Sequence, residues 1–152
     1  SVPAEALWLD ADPTRLSQAL ANLLHNAAKY TERGGHIWLT ATRAGDEVLL
    51  SVRDNGMGIA PELLPRVFDL FVQGERASGR SIGGLGLGLT LVRRLVEMHG
   101  GTISAASAGV GIGDPTFFLS VTLPADGQVI GLGKIPVQTV RADFPHTAYR
   151  RS

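Results

Sequence analysis

Four side chains that could bind a polar ligand stand at helical spacing early in the chain: Asn22, Asn26, Lys29 and Tyr30. Asn22 and Asn26 are one helical turn apart, and Lys29 and Tyr30 follow Asn26 at the i+3 and i+4 positions. The two Asn and the Lys cluster roughly a third of a turn from the centre of an apolar stripe. Two carboxamides and an amine at such an edge favour a polar ligand, although a solvated helix flank made of common residues is the alternative.

The helix that carries these residues is predicted from its start signal and its periodicity. Asp12 can cap the first turn, and Pro13 fits the first helical position because the N–H that it lacks has no partner there. Apolar residues then recur at three-four spacing: Leu16, Ala19, Leu20, Leu23, Leu24 and Ala27. The sequence therefore predicts a helix from Pro13 to about Tyr30 with one buried face.

Asp54 stands at the end of a predicted strand. Alternating apolar residues at 37–41 and 48–52, with Gly45 and Asp46 between them, predict an antiparallel hairpin. An ionised carboxylate accepts hydrogen bonds and donates none, so Asp54 suits the exocyclic amino group of adenine and would repel the carbonyl of guanine. An ordinary turn-forming Asp is the alternative.

Two glycine-rich segments predict loops that can approach phosphate groups. The first contains Gly56 and Gly58, and the second runs from Gly84 into a helix that ends at about His99, with Gly100 as its C-cap. Glycine lets backbone N–H groups reach phosphate oxygens, and a helix N-terminus adds partial positive charge. A nucleotide site is therefore predicted, with a flexible hinge as the alternative for the second segment. The spacing is not a dinucleotide fingerprint, since the third glycine falls two positions after the second.

Composition is that of one globular domain. The 152 residues include 14 Lys plus Arg and 14 Asp plus Glu, a balance that argues against nucleic acid as a partner. Cysteine is absent and the four His have no metal-binding spacing, so no zinc site is proposed. Two strand pairs, each adjoining a helix, predict an α+β sandwich over residues 1–124, with closing strands at 102–106 and 117–123. Residues 125–152 are predicted to be a linker or poorly ordered tail, with an edge strand at 137–140 left open.

Four blocks stand in a recognisable order: Asn22-Leu-Leu-His-Asn26-Ala-Ala-Lys29-Tyr30-Thr, Asp54-Asn-Gly56-Met-Gly58-Ile, Phe68-Asp-Leu-Phe71 and Gly84-Leu-Gly86-Leu-Gly88-Leu. This order resembles the N, G1, F and G2 boxes of the catalytic, ATP-binding domain of sensor histidine kinases, over about residues 5–124. The resemblance implies the Bergerat (GHKL) fold, a two-layer α/β sandwich in which a mixed sheet packs on three helices. Residues 61–67 predict a short helix opened by a proline, and the polar residues 72–83 would form a lid over ATP.

The resemblance also implies a role for each site residue. Asn26 would coordinate the Mg²⁺ that bridges the ATP phosphates, Asn22 and Lys29 would face those phosphates, and Tyr30 would lie near the nucleotide. Asn26 and Lys29 would be the catalytic residues, and Asp54 would bind the adenine amino group. The pocket and the phosphate-side hinge of the lid would be formed by further residues: Gly56, Gly58, Gly84, Gly86, Leu87 and Gly88. Thr116 is left open as a pocket residue, because Asp114-Pro115-Thr116-Phe117 departs from the family's usual Gly-Thr-Thr-Phe.

The partners expected from the resemblance are other parts of a signalling system. The substrate His of this family lies in a helical dimerisation domain upstream of the ATP-binding domain, and a downstream response regulator receives the phosphoryl group. We expect the fragment itself to be monomeric and the parent protein to be a homodimer. Whether the parent is a hybrid kinase is left open. We expect the fragment in the cytoplasm, whether or not the parent is anchored in a membrane.

Two other functions remain open. ATP-hydrolysing proteins of the same fold, of gyrase, mismatch-repair or chaperone type, carry a general-base Glu one turn before the metal-binding Asn. Asn22 occupies that position here and cannot take a proton at neutral pH, which favours transfer to a separate acceptor. The second alternative is a degenerate domain that binds a nucleotide or a partner only as a regulatory module.

Overall fold

The computed structural model describes residues 9, 11–70 and 87–111, and the backbone of residues 116–122. The helices and strands of these residues are α1 (Pro13–Tyr30), β1 (Ile37–Ala44), β2 (Glu47–Asp54), a one-turn 3-10 helix (Leu64–Arg66), α2 (Gly88–Met98), β3 (Thr102–Ala106) and β4 (Thr116–Thr122). None of the described helices is both long and apolar enough to cross a membrane.

The described strands form one sheet in the order β1-β2-β4-β3, and each neighbouring pair is antiparallel. In this register Ile37 pairs with Asp54, Arg53 pairs with Thr116, and Thr116 pairs with Ala106. The end of β2 and the end of β3 therefore lie at the same edge of the sheet. The loops that follow these two strands meet there, which brings sequence positions about fifty residues apart into one site.

Helix α1 begins as its sequence predicts. The Asp12 side chain accepts hydrogen bonds from the N–H groups of Thr14 (2.9 Å) and Arg15 (3.1 Å), and this satisfies two of the donors that every helix leaves unpaired at its start. The helix buries one stripe against the core: Leu16, Ala19, Leu23 and Ala27. The predicted bounds of α1 and its N-cap are confirmed.

The core lies between the two helices and one face of the sheet. Alternate residues of β2 are buried, namely Val48, Leu50 and Val52, because successive side chains of a strand point to opposite faces. Helix α1 packs against β1 and β2, and helix α2 packs against β3 and β4 with a second apolar stripe, which consists of Val92, Leu95 and Val96. Each fully buried aliphatic side chain of this kind contributes about 1.5–3 kcal/mol to folding. The result is a two-layer arrangement of helices on a sheet.

Helix α2 ends in a Schellman motif. The predicted C-cap is shifted by one residue: His99 is the cap and Gly100 follows it with a φ of 71°, a conformation that glycine adopts without strain. The Gly100 N–H donates to the Glu97 carbonyl (3.0 Å) and the Gly101 N–H to the Val96 carbonyl (3.1 Å). These two bonds satisfy carbonyls that the end of the helix leaves free.

His99 also joins the end of α2 to the start of α1. Its Nδ1 lies 2.6 Å from the Leu95 carbonyl oxygen and donates to it. Its Nε2 therefore carries the lone pair, and it accepts a hydrogen bond from the Asp12 N–H (3.0 Å). The two helices of the layer are thus held together next to the N-cap of α1.

Some predicted features differ from the structure. The short helix predicted for residues 61–67 is a turn followed by one 3-10 turn, and its proline is Pro65 and not Pro61. Both hairpin strands are longer than predicted, because their pairing continues to the turn at Gly45 and Asp46. The described pairings include no parallel pair of the kind that a mixed sheet requires. Phe71, the predicted lid at 72–83 and the predicted tail at 125–152 lie outside the described residues.

Candidate functional site

The predicted phosphate-binding side chains lie on α1 as expected. Asn22, Asn26, Lys29 and Tyr30 are all half-buried, next to the fully buried Leu23 and Ala27. Lys29 Nζ lies 5.1 Å from the centre of the Tyr30 ring, within the range of a cation–π interaction. These side chains therefore occupy the margin of the core, where a ligand is partly shielded from water.

Asn26 faces the first turn of α2. Gly88 is the first residue of that helix, and a Cβ placed on it would lie 3.8 Å from Asn26 Nδ2. The N-cap position of α2 is Leu87, which provides no side-chain hydrogen bond to the first turn. The first N–H groups of α2 are thus left without a side-chain cap, at a helix end that carries partial positive charge. This combination of a carboxamide and an uncapped helix start suits phosphate oxygens.

Asp54 is the last residue of β2 and is buried, with 1 % of its surface exposed. Its Oδ1 accepts a hydrogen bond from the Gly56 N–H (2.8 Å), so the chain turns back on the carboxylate directly after the strand. Burying a carboxylate is costly unless donors face it. The buried carboxylate therefore lies at the end of β2 with one oxygen held by the loop that follows the strand.

The first half of the loop that follows Asp54 is fixed to α1 and β1. The Met57 N–H donates to the Tyr30 carbonyl (3.1 Å), and Asn55 Oδ1 accepts from the His36 N–H (2.6 Å). A Cβ on Gly56 would clash with the Tyr30 carbonyl oxygen. This close approach of two backbones explains why glycine stands at position 56.

The second half of the same loop is fixed to the turn after β3. Ser107 Oγ accepts hydrogen bonds from the N–H groups of Ile59 (3.0 Å) and Gly109 (3.2 Å), and the Gly111 N–H donates to the Met57 carbonyl (2.8 Å). Gly58 has a φ of 77°, and a Cβ on it would clash with the Gly109 carbonyl oxygen. Sequence reasoning did not single out Ser107 or Gly109. The glycine pair at 109 and 111 after a strand was the signal that could have drawn attention to them.

Phe68 is also tied to α2. Thr90 Oγ1 donates to the Phe68 carbonyl (2.9 Å), and the Phe68 side chain packs against the core. Phe68 is therefore a packing residue, whereas Phe71, Gly84 and Gly86 lie outside the described residues.

The donor set fits ATP and a magnesium ion held mainly by that ATP. Among residues 11–70 and 87–111, no three His, Asp or Glu side chains cluster in a way that could hold a metal by themselves. Magnesium is commonly bound through one or two protein oxygens plus substrate phosphates, and the Asn26 carboxamide can supply such an oxygen.

The two ion pairs of the described helical segments, Arg66–Asp69 and Arg93–Glu97, are solvent-exposed. Exposed pairs contribute little, so they bear on neither the site nor the stability.

Comparison with known proteins identifies the family. Residues 11–127 match the protein family described as histidine kinase-, DNA gyrase B-, and HSP90-like ATPase. The chain belongs to this family. It is an ATP-binding catalytic domain of the histidine-kinase type, as the relatives and neighbours of known structure show. The predicted α+β Bergerat fold is likewise confirmed.

Three similar proteins illustrate the match. The circadian input-output histidine kinase CikA of Synechococcus elongatus is 46% identical over 97 residues, which are 64% of this chain and 13% of CikA. The mycobacterial sensor histidine kinase MprB has a similar structure, with a TM-score of 0.69, 28% identity and coverage of 80% of each chain. Full-length ShkA, whose structure was solved in complex with AMPPNP, gives a TM-score of 0.61 and 30% identity over 84% of this chain and 27% of ShkA. The chain thus spans only a small part of the curated relatives that it matches.

The family match establishes the class of domain, while the role of each individual residue stays a prediction. The structure brings Asn26 next to Gly88, and it joins Tyr30 to the loop that carries Gly56 and Gly58. Leu87 is exposed at the start of α2. Thr116 lies at the start of β4, at the same edge of the sheet as Asp54, which is the position that a pocket residue would need.

Proposed function

We propose that this domain binds Mg-ATP and transfers its γ-phosphoryl group to a His on a separate dimerisation and phosphoacceptor domain of the same parent protein. The observation that carries the proposal is the approach of Asn26 to the uncapped first turn of α2. The Asn26 carboxamide and the first backbone N–H groups of α2 lie close together there, and such a pair of groups suits a metal–phosphate ligand.

The adenine ring would lie at the other end of the site, against Asp54. This carboxylate is held by the Gly56 N–H at the sheet edge, so its orientation is fixed before the ligand arrives. It would accept a hydrogen bond from the exocyclic amino group of adenine. Guanine carries a carbonyl at that position and would meet the carboxylate with like partial charge, so ATP is preferred over GTP.

The triphosphate would then run from the Asp54 loop toward the space between α1 and α2. Lys29 and Asn22 would flank that path on α1, and the N–H groups at the start of α2 would face it. Bound Mg²⁺ would supply positive charge beside the phosphates, and Asn26 would be the residue that holds it. Positioning and charge stabilisation of this kind provide most of the catalysis in phosphoryl transfer.

Asn22 favours transfer over hydrolysis. It lies one turn before Asn26, where an ATP-hydrolysing relative would carry a general-base Glu. A carboxamide cannot take a proton from water at neutral pH, whereas an imidazole acceptor arrives with its own nucleophilic nitrogen. Full-length ShkA, 27% of which matches this chain, was solved in complex with AMPPNP, and this similarity supports nucleotide binding by the domain.

The remaining partners follow from the same proposal. The parent protein would be a homodimer through its His-bearing domain, and a response regulator would receive the phosphoryl group downstream. The ATP-binding domain itself would act as a monomer in the cytoplasm. Nucleic acid is not proposed as a partner, because basic and acidic residues are equal in number, at 14 each.

The magnesium part of the proposal is tested with Asn26→Ala. Titration calorimetry with ATP and Mg²⁺ is expected to show about a tenfold loss of affinity, equivalent to about 1.4 kcal/mol. With EDTA in place of Mg²⁺, wild type and variant should bind ATP almost equally, because the lost oxygen acts through the metal. Gln18→Ala removes an exposed carboxamide two turns earlier on the same helix and is the matched control. Equal losses with and without Mg²⁺ would contradict the assignment of Asn26 as the metal ligand.

A further inference from the structure

We infer that Ser107 is a positioning residue of the nucleotide site, which acts by fixing the loop that orients Asp54. We call residues 54–59 the adenine loop and residues 107–111 the β3 turn. The inference rests on the proposed binding of ATP. It adds the β3 turn to α1 and α2 as a third element that holds residues of the site in place. Ser107 itself is not expected to touch the nucleotide.

The Ser107 hydroxyl joins the two segments. Its Oγ accepts one hydrogen bond from the Ile59 N–H (3.0 Å), in the adenine loop, and one from the Gly109 N–H (3.2 Å), within its own turn. A hydroxyl oxygen has two lone pairs, so these two bonds use its whole capacity as an acceptor. Gly109 is buried, so its N–H cannot turn to water when the hydroxyl is removed.

The backbones of the two segments are also in direct contact. The Gly111 N–H donates to the Met57 carbonyl (2.8 Å), and Gly58 lies so near the Gly109 carbonyl that a Cβ would not fit. Glycine at 58 also provides the positive φ of 77° that this loop requires. The β3 turn therefore contacts three consecutive residues of the adenine loop, at positions 57, 58 and 59.

This contact reaches Asp54 through Met57. The Met57 N–H is bonded to Tyr30 on α1 and its carbonyl is bonded to Gly111 in the β3 turn, so the residue is held from both sides. Gly56, its neighbour, donates to Asp54 Oδ1. A β3 turn that loses the Ser107 hydroxyl can shift away from the adenine loop and release one of these two anchors. The Asp54 carboxylate would then sample more orientations, and the free energy needed to order it would weaken the binding of adenine.

The test compares Ser107→Ala with Ser107→Thr, which keeps the hydroxyl, and with Ser104→Ala. Ser104 is exposed on β3 and serves as a control for the same chemical change outside the contact. Calorimetric titrations with ATP and with ADP are expected to show a loss of affinity of about tenfold for Ser107→Ala, the size expected when the one hydrogen bond that joins the two segments is lost. The loss should be the same factor for both nucleotides, because the affected end of the site holds the base. Ser107→Thr should bind within about threefold of wild type, and Ser104→Ala should equal wild type.

Two further readouts separate positioning from general destabilisation. Transfer of phosphate to a supplied His-bearing segment should show a raised KM for ATP and an unchanged kcat, since the phosphate end of the site is intact. Amide exchange measured by NMR should become faster at Ile59 and Gly109 while the amides of α1 and α2 keep their protection. Should Ser107→Ala fail to fold, Ser107→Cys replaces it, because a thiol of similar size is only a weak acceptor.

If Ser107→Ala binds ATP with wild-type affinity although the amides of Ile59 and Gly109 have lost their protection in that variant, the inference is overturned. The proposed function would remain standing. A fall in kcat without a change in KM would also overturn the inference. Failure of the wild-type domain to bind ATP at all would instead refute the proposed function, so the two failures are distinguishable.

Discussion

Asp54 is the residue on which the proposed preference for ATP depends. It is the one charged residue of the described chain that is fully buried, and its backbone position at the end of β2 is set by pairing with Ile37. The Gly56 N–H occupies Oδ1, so the carboxylate is oriented by the loop that follows it. Recognition of adenine by an acceptor that cannot donate is the property that separates ATP from GTP in our account.

Replacement of Asp54 by Asn tests this recognition. The amide oxygen is expected to keep the hydrogen bond from the Gly56 N–H, which turns the amide NH₂ toward the base. A donor would then face the adenine amino group, so ATP affinity should fall by about tenfold or more, while GTP affinity should rise or stay the same. Titration calorimetry with both nucleotides measures the ratio.

Asp46→Asn provides the control for that experiment, since Asp46 is exposed in the turn between β1 and β2. It should bind both nucleotides as wild type does. An Asp54→Asn protein that still prefers ATP by the wild-type ratio would show that another residue reads the base.

Among the elements, the first turn of α2 can be tested most directly, by a substitution at its first residue. Gly88 begins the helix beside Asn26, where a Cβ would be in ordinary van der Waals contact with the carboxamide at 3.8 Å. The chain can therefore accept an alanine there without strain. The methyl group would nevertheless lie in the space that our account gives to phosphate and Mg²⁺.

Gly88→Ala should therefore separate stability from binding. The free energy of unfolding is expected to stay the same or to rise by up to about 1 kcal/mol, because alanine has less conformational entropy to lose than glycine. ATP affinity should fall by about tenfold. Urea denaturation and calorimetric titration measure the two effects.

Ser17→Ala, at an exposed position of α1, is the control for Gly88→Ala because it also favours the helix but lies outside the site. It should leave ATP binding unchanged. If Gly88→Ala binds ATP as wild type does, the triphosphate does not pass between Asn26 and α2.

Elements with strong local signals were predictable from the sequence. Asp12, Pro13 and a regular apolar stripe defined α1, and Gly100 marked the end of α2 to within one residue. The contact of Ser107 with Ile59 joins residues 48 positions apart, and a lone serine after a strand carries no periodic signal. The sheet order was not predicted either, because the insertion of β4 between β2 and β3 depends on pairing across the whole chain. The candidate site residues were predicted from residue type, spacing and the family resemblance, and their roles stay predictions. The backbone contacts that hold them could only be seen in three dimensions.

At the scale of the whole molecule, the chain corresponds to one domain of much longer relatives. Family similarity covers residues 11–127, while CikA is matched over only 13% of its length. The predictions that residues 72–83 form a lid and that residues 125–152 are a linker or poorly ordered tail concern parts outside the described residues, and they stay predictions. The acceptor His is proposed to come from another domain. Within the described chain, both ring nitrogens of His99 are already engaged with Leu95 and Asp12.

The central claim is that the domain transfers phosphate to a supplied His and does not pass it rapidly to water. The most direct measurement mixes the domain with γ-labelled ATP, Mg²⁺ and a His-bearing dimerisation segment from the parent protein, and follows both the labelled segment and the free phosphate. We expect acid-labile label on the segment, its loss when Mg²⁺ is removed, a strong reduction with Asn26→Asp, and little phosphate release by the domain alone. Rapid release of phosphate by the isolated domain, with no label on the segment, would contradict the account and favour an ATPase.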